Sequence, residues 1–362
     1  MNDSDVDLAV IGGGPGGSAC ALAAARAGLS VALFEPQPGP IDKPCGEGCL
    51  ASGVRVLEEL ALGDLLQRAL VLRGITYSIP RAPPLCVPFP EVGCSLERHE
   101  LAAALDRALA RESKLQRIAS AAQVERAQEG FLVRGATAVL RSRTLAVADG
   151  TRGHAADWLR GEGWVDSGRF GLRARCEARV ELEGVMILLG DPNAQIYVTP
   201  LPGRRLNIAL LLDRAPSEGG AKAWLAQALE HPGLRDLAGD PITPPEVRSL
   251  ARRAPRSVTE SGVFLVGDAA GSVDPVVGCG VSIALATGVA AAQGARALVD
   301  GRPAREVERS YARVVRRETA ARARLAGALL ALARHPAWAR AVVRLLARAP
   351  RLAAGIARVA EG

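Results

Sequence analysis

The sequence predicts an α/β fold in two lobes, a parallel-sheet nucleotide-binding domain and an interleaved antiparallel-sheet domain, closed by a helical tail. Three observations carry this. A glycine turn joins an early apolar strand to an alanine-rich helix at residues 12–17, and a second strand runs into glycine loops near the end of the chain, at Gly267–Gly280. Between them, several segments alternate apolar and polar residues with period two. With 362 residues the chain can bury two cores; its 49% hydrophobic and 23% charged content is that of a globular protein. Aromatic residues make up only 3%, so Ala, Leu and Val must fill those cores.

The first element in order is Leu8–Ile11, an apolar strand that enters Gly12-Gly-Gly-Pro-Gly-Gly17. Gly12, Gly14 and Gly17 fit G-x-G-x-x-G: a tight turn, a backbone that a pyrophosphate can approach, and a close helix–strand contact. The helix starting at Pro15 offers free N–H groups and a positive dipole end to phosphates. A second strand, Ser30–Phe34, ends in Glu35, eighteen residues beyond Gly17, where a carboxylate can bind ribose hydroxyls. Strand, turn, helix, strand and acid together point to a dinucleotide site.

After the proline-rich loop at 36–40 comes Lys43-Pro-Cys-Gly-Glu-Gly-Cys49. Helical spacing covers 51–70. Residues 76–94 read as a crossover to the second lobe, and a helix runs from about Ser95, with Ser95 and Arg98–Glu100 as capping residues, to Arg111. Short strands follow near 115–127, 131–134 and 138–147. Residues 172–214 read as long strands, including a hairpin with a Pro-Gly turn after Tyr197-Val-Thr-Pro200. Residues 218–240 are helical, strand Val263–Val266 returns to the first lobe, and a helix covers 281–298. The tail is a series of amphipathic helices broken at Pro336 and Pro350. The expected boundaries are nucleotide-binding segments at 1–75, 95–155 and 256–300, a crossover at 76–94, a substrate-binding sheet domain at 156–255 and C-terminal helices at 301–362.

The net charge is +7, concentrated in residues 301–362, which hold fourteen Arg against four Glu. That pattern suits either Arg on the outer face of packed helices or a basic amphipathic surface docking on anionic membrane; no nucleic-acid module accompanies it. Seven Cys without a C-x-x-C pair, and only four His, exclude a zinc site and leave no metal expected. The acidic start, Met1-Asn-Asp-Ser-Asp, lacks the basic region of a signal peptide, so the expected location is cytoplasmic, with membrane association through the tail as the variant. The uncharged run Pro275–Ala295 reaches membrane-span length, but its glycines and polar residues favour a buried helix.

The second informative stretch is Gly262-Val-Phe-Leu-Val-Gly-Asp-Ala-Ala-Gly-Ser-Val-Asp-Pro-Val-Val-Gly-Cys-Gly280. A carboxylate at a strand tip, Asp268, can bind a sugar-like chain, and the helix starting at Gly280 can stabilise partial negative charge. Paired with the N-terminal glycine turn, this resembles the FAD-dependent oxidoreductases that include geranylgeranyl reductases, aromatic-ring monooxygenases and flavin halogenases. The resemblance covers nearly the whole chain. It implies a Rossmann-like FAD domain of glutathione-reductase type and bound FAD. Gly12, Gly14, Pro15, Gly17 and Glu35 would take the ADP half. Gly267, Asp268, Pro275, Gly278, Cys279 and Gly280 would take the ribityl and ring half. Arg98 sits where this family places an arginine near FAD. Ala148-Asp149-Gly150 resembles the family's middle fingerprint, although Thr151-Arg-Gly-His154 departs from its continuation and Asp149 equally suits a turn cap.

The Cys45-Gly46 loop is similar to that of the geranylgeranyl reductase branch, where the Cys lies near the flavin. Tyr197-Val-Thr-Pro200 is similar to a related group regarded as monooxygenases, and the halogenase Trp-x-Trp pattern is absent from the sequence. The candidate catalytic residues are therefore Cys45, Gly46 and Tyr197, with Cys45 and Cys279 expected to approach each other across the flavin. Lys43 is a candidate for steering an anionic substrate or NAD(P)H, the expected transient electron donor. The substrate is expected to be small and apolar, between the FAD lobe and Leu, Val and Ala walls of the 172–214 sheet. The leading expectation is hydroxylation of an apolar or aromatic molecule through a flavin C4a-hydroperoxide. The alternative is reduction of a C=C bond in an isoprenoid or polyketide.

Overall fold

In the computed structural model the described residues are 4–160, 165–191, 194–213, 219–252 and 254–361. Met1–Asp3, on which the signal-peptide reading partly rests, lie outside them. The first sheet is organised around Ser4–Ile11. Its order is Thr259–Glu260, Val263–Leu265, Val139–Val147, Ser4–Ile11, Val31–Phe34, Leu115–Ile118. The last five of these run parallel; the short Gln123–Arg126 and Phe131–Arg134 add antiparallel pairs beside Val139–Val147. In this strand Val6 and Leu8–Ile11 are buried on both faces, as parallel strands covered by helices are. Its register with the next strand is pinned by Asp7, whose carboxylate accepts the Ser30 N–H (3.0 Å) and hydroxyl (2.8 Å).

Two helices cover the glycine turn, Pro15–Arg26 and Gly280–Val299. They approach at glycines: a Cβ on Gly288 would lie 2.2 Å from the Gly16 carbonyl oxygen. Gly280–Val299 is the one helix among the described residues long and apolar enough to cross a membrane. It packs in the core of the first lobe, through Leu285, Ala291, Ala292 and Ala295.

The second sheet has the order Ala238–Pro241, Val165–Ala178, Arg205–Leu212, Ala194–Leu201, Val185–Asp191, Leu70–Ser78, Leu85–Ser95, Gly48–Cys49, with Glu246–Arg252 also on Val165–Ala178. All its pairs are antiparallel except Val185–Asp191 on Leu70–Ser78. One face, carrying Leu172, Ala174, Ile196, Val198, Leu206 and Ile208, packs on helix Gly220–Leu229 through Trp224 and Leu225. The other face carries Arg169, Arg173, Arg175, Gln195, Tyr197, Thr199 and Asn207, all buried. The expected Leu, Val and Ala walls thus lie mostly on the helix-covered side. The opposite face is polar where Arg173, Arg175 and Asn207 meet the 42–47 loop, and apolar where Ile187 and Tyr197 meet Val276, Val277 and Cys279.

Several local expectations change. The helix expected over 51–70 is two pieces, Ala51–Glu59 and Gly63–Leu66, and strand Leu70–Ser78 begins before it would have ended. Residues 76–94 form most of a hairpin of the second sheet, which recruits Gly48–Cys49 as an edge. Helix Arg98–Leu109 has Glu97 at its N-cap, and the Ser95 hydroxyl donates to the Pro200 carbonyl instead of capping. Helix Gly220–Leu229 ends before His231-Pro232, and the chain then turns into strand Ala238–Pro241. The tail comprises Ala304–Ala333, Pro336–Arg348 and Pro350–Glu361, the last two starting on the expected prolines.

Candidate active site

The glycine turn is forced by its surroundings at two positions and left open at a third. Gly12 has φ +101°, and a Cβ there would lie 2.5 Å from the Ala148 carbonyl oxygen; a Cβ on Gly17 would lie 1.8 Å from that of Gly12. At Gly14 no protein atom lies within 4 Å of a built Cβ. Packing therefore requires Gly12 and Gly17 to be small. Gly14 instead bares its backbone to open space at the N-terminus of Pro15–Arg26, where the first N–H groups have no intrahelical partners. Glu35 braces the turn: one carboxylate oxygen accepts the Gly13 N–H at 2.7 Å and the other the Gln37 N–H at 2.9 Å. A small opening adjoins it, lined by Gly13, Leu33, Ile41, Ala102 and Leu109 with Arg117.

A second wall carries charge. Arg98 begins helix Arg98–Leu109 and is 6% exposed, and its Nη1 has no hydrogen-bond partner. Burial pushes the Lys43 ammonium below its ordinary value; Glu35 and Asp268 pull it back, while Arg98 and Arg248 push it further down. All four of these charged groups therefore act on Lys43. Burial likewise raises the Asp268 carboxyl, partly offset by Lys43. Asp268 is nonetheless solvent-accessible, as a group on the wall of a deep cleft is. Burial also raises the Cys45 thiol, and the hydrogen bond its sulfur accepts from the Glu47 N–H (3.3 Å) does not compensate. Cys45 is therefore a neutral thiol at physiological pH. A built Cβ on neighbouring Gly46 meets nothing within 4 Å.

The late glycine loop alternates its residues. Pro275, Gly278 and Gly280 are exposed, whereas Val276, Val277 and Cys279 are buried. Gly278, at φ +71°, sets the reversal. The Cys279 thiol points into an apolar cluster with Leu50, Ile187, Tyr197 and Ile283, and burial raises it to about 11. Its charged neighbours, Arg322, Glu318 and Asp268, are not those of Cys45, which are Arg98, Glu47 and Arg173. Gly267 (φ +59°) donates its N–H to Thr287 Oγ1 at 2.9 Å, which ties the strand tip to helix Gly280–Val299. Tyr197 donates its hydroxyl to the Val276 carbonyl at 2.8 Å, so it holds this loop. Asp149 accepts the Ala155 N–H at 3.1 Å, the turn-cap role that its sequence context also allowed.

Two buried ionic networks lock the loops, and the sequence reading assigned neither. Arg169 reaches Asp274 at 2.6 Å, Asp213 at 2.7 Å and Gln195 at 2.6 Å, while Asp274 also accepts the Val276 N–H at 3.0 Å. Glu47, fully buried at φ +58°, accepts from Arg175 and Arg173 and from the Arg98 backbone N–H. Asp42 joins Arg173 at 3.1 Å. Asn207 donates to the Cys45 carbonyl at 2.9 Å, and its own buried Oδ1 has no partner. The available signal was period-two spacing: Arg169, Arg173 and Arg175 share one strand face, and Asn207 is a lone polar residue in an apolar strand.

A narrow apolar crevice lies between the second sheet and the tail. Tyr77 and Phe89 from the sheet, Val276 and Val277 from the glycine loop, and Leu329 and Ile356 from the tail are among its walls.

The residues present fit FAD. A bare Gly14 backbone at a helix N-terminus suits a pyrophosphate, the opening beside Glu35 suits an adenosine, and the unpartnered Arg98 Nη1 and Asn207 Oδ1 both border the Cys45 loop. Fold and site together define an FAD-dependent oxidoreductase. A family model for FAD dependent oxidoreductases matches residues 7–39. The menaquinone reductase of Mycobacterium tuberculosis is 29% identical over 320 residues, covering 80% of this chain and 76% of that protein. The digeranylgeranylglycerophospholipid reductase of Thermoplasma volcanium is 27% identical over 310 residues, covering 79% and 77%. The crystal structure of p-nitrophenol 4-monooxygenase from Pseudomonas putida superposes with a TM-score of 0.85 at 16% identity, over 100% of this chain and 99% of that one, and so shares the fold. In sequence the chain is similar to menaquinone and geranylgeranyl-type reductases, and in fold to flavin monooxygenases.

Proposed function

We propose that this oxidoreductase reduces a C=C bond in the isoprenoid chain of a quinone or lipid, the alternative in the sequence reading, rather than hydroxylating an aromatic molecule. The observation that carries the reading is the apolar crevice. Its walls are hydrocarbon apart from Tyr77, and they include Val276 and Val277 of the loop expected to carry the flavin. A chain of isoprene units offers only hydrocarbon to such walls, whereas a phenol would need a buried polar partner. The similarity to two kinds of reductase supports the same choice; the similarity to a monooxygenase structure concerns the fold.

FAD, when bound, supplies two-electron transfer between a donor, proposed to be NAD(P)H, and the alkene. The chain's own groups do the rest. Gly12, Gly14, Pro15 and Gly17 with Glu35 hold the ADP half; Arg98, Asp268 and the backbone of Gly267 and Pro275–Gly280 hold the remainder. Saturating the double bond takes a hydride at one carbon and a proton at the other. Cys45 Sγ holds a proton at neutral pH on a loop that Glu47 and Asn207 fix in place, which suits it to supply that proton. Tyr197 positions the Val276 carbonyl.

The test is anaerobic turnover of the FAD-loaded enzyme with NADPH and a polyprenyl quinone, read by mass spectrometry. After reoxidation of the headgroup to the quinone, a product still heavier by a pair of hydrogens, with a saturated isoprene unit, is expected. A product that forms only with O2 and carries one added oxygen atom would overturn the reading.

A further inference from the structure

The last two helices, Pro336–Arg348 and Pro350–Glu361, have two apolar sides. Ala339, Val343, Ala353 and Ala357 pack on Ile79, Leu85 and Val87 of the second sheet. On the outward side stand Trp338 at 70% exposure, Leu345 and Leu352 at 59% each, and Val359 at 39%. Trp338 and Leu345 are seven residues apart, as are Leu352 and Val359, so each pair lines one stripe of its helix. Arg344 and Arg348 flank the first stripe, Arg344 also donating to the Arg81 carbonyl at 3.1 Å, and Arg351 and Arg358 flank the second. No acidic residue occurs between Thr319 and Ala360, a stretch that holds eight Arg. A packed soluble surface mixes both signs and seldom leaves a tryptophan uncovered.

We infer that this outward face is a docking surface for an anionic lipid bilayer, with Trp338, Leu345, Leu352 and Val359 entering the headgroup–acyl boundary and the arginines meeting lipid phosphates. Tryptophan at the edge of an apolar stripe is the residue that the interface favours, and arginines beside a shallow apolar face add attraction to negative headgroups. A second copy of this chain is a poor occupant, because the same arginines would face each other. Nucleic acid would leave the leucines without a partner.

The surface is also built to be held. Arg322, fully buried, donates to the Ala360 carbonyl at 2.8 Å and to Glu318 at 2.6 Å, which anchors the last helix to the one before the hairpin. That last helix turns Ile356, Ala357 and Ala360 toward the apolar crevice and Leu352 and Val359 outward. A bilayer-docked enzyme would thus have its crevice one helix away from the lipid. This link rests on the crevice being the substrate site; the docking itself does not.

The experiment is co-sedimentation of the FAD-loaded enzyme with vesicles of phosphatidylcholine alone or mixed with phosphatidylglycerol. Binding is expected only to the mixed vesicles, weakening as salt rises. The triple variant Trp338→Ala, Leu345→Ala, Leu352→Ala should lose at least tenfold in vesicle affinity with FAD content and melting temperature unchanged. Equal binding by the variant, or equal binding to neutral vesicles, would overturn the inference. So would absence of vesicle binding together with a concentration-dependent dimer that the variant abolishes, which would assign the face to a second copy. None of these readouts depends on turnover, so failure here leaves the proposed reaction standing.

Discussion

Glu47 Oε1 accepts the backbone N–H of Arg98 at 3.0 Å, joining the Cys45-Gly46 loop to the start of the helix that carries Arg98 and its unpartnered Nη1. The same carboxylate takes Arg173 and Arg175 of the second sheet, so one buried acid fixes the position of three segments. Glu47→Ala would leave two buried guanidinium groups short of a counter-charge, a change that typically costs about 3–5 kcal/mol. Thermal melting should show that loss. Glu47→Gln, which keeps the shape and some hydrogen bonds, should lose less and bind FAD more weakly than wild type.

Gly14 and Gly17 separate ligand binding from folding. Gly14→Ala places its Cβ where no protein atom lies within 4 Å, at an ordinary φ of −65°. Its apo stability should stay within about 0.5 kcal/mol of wild type, as for surface changes. FAD affinity, measured by fluorescence titration, should fall about tenfold or more, equivalent to at least 1.4 kcal/mol. Gly17→Ala drives a Cβ to 1.8 Å from a carbonyl oxygen and should destabilise the fold itself, by roughly 1–3 kcal/mol or more.

Asp7 makes stability depend on pH in a defined direction. Burial raises its carboxyl, but the hydrogen bonds from Ser30 and Arg143 outweigh that and hold it below its ordinary 3.8. A lowered folded value means that the ionised form stabilises the native state. That contribution is complete well above 3.8 and is lost as pH falls through the lowered value. Asp7→Asn should therefore melt lower than wild type at pH 7, by about 1–2 kcal/mol of stability. The gap should close in acid, below the lowered value.

Tyr197 is committed to Val276, and burial raises its hydroxyl well above its ordinary value. Tyr197→Phe should cost about 1 kcal/mol of stability. Turnover should keep its order of magnitude, in contrast to the roughly 10²–10⁴-fold loss that follows removal of a general acid. Steady-state rates with the conservative variant distinguish the two roles.

What was legible in the sequence was what is local. The turn from Gly12 to Gly17 and its acid Glu35 are written in one strand–helix–strand stretch, and the period of 172–214 announced a sheet. The ionic networks were not legible because their members are far apart in the chain: Asp42 and Glu47 meet Arg173 and Arg175 only after the second sheet forms. The facing of Cys279 could not be read either. It depends on the left-handed Gly278, which buries one neighbour and exposes the next. Residues 51–70 were misjudged because helical spacing persists across the break at Leu60–Leu62, where Ala61 adopts φ +47°. Tyr197 reads as a candidate catalytic residue, and only its hydrogen bond to Val276 reveals that its hydroxyl is already occupied.

The most direct measurement of the central claim is a stopped-flow trace without oxygen. The enzyme's FAD is reduced, excess reductant is removed, and the sample is mixed anaerobically with a polyprenyl quinone or an unsaturated isoprenoid lipid. If the crevice delivers an alkene to the flavin, the oxidised flavin absorbance returns at a rate that rises and saturates with substrate, and the Cys45→Ala variant slows it. To exclude oxidation by a quinone headgroup, the product must carry a saturated C=C bond. A trace that stays reduced until oxygen enters, then yields an oxygenated product, would contradict the account.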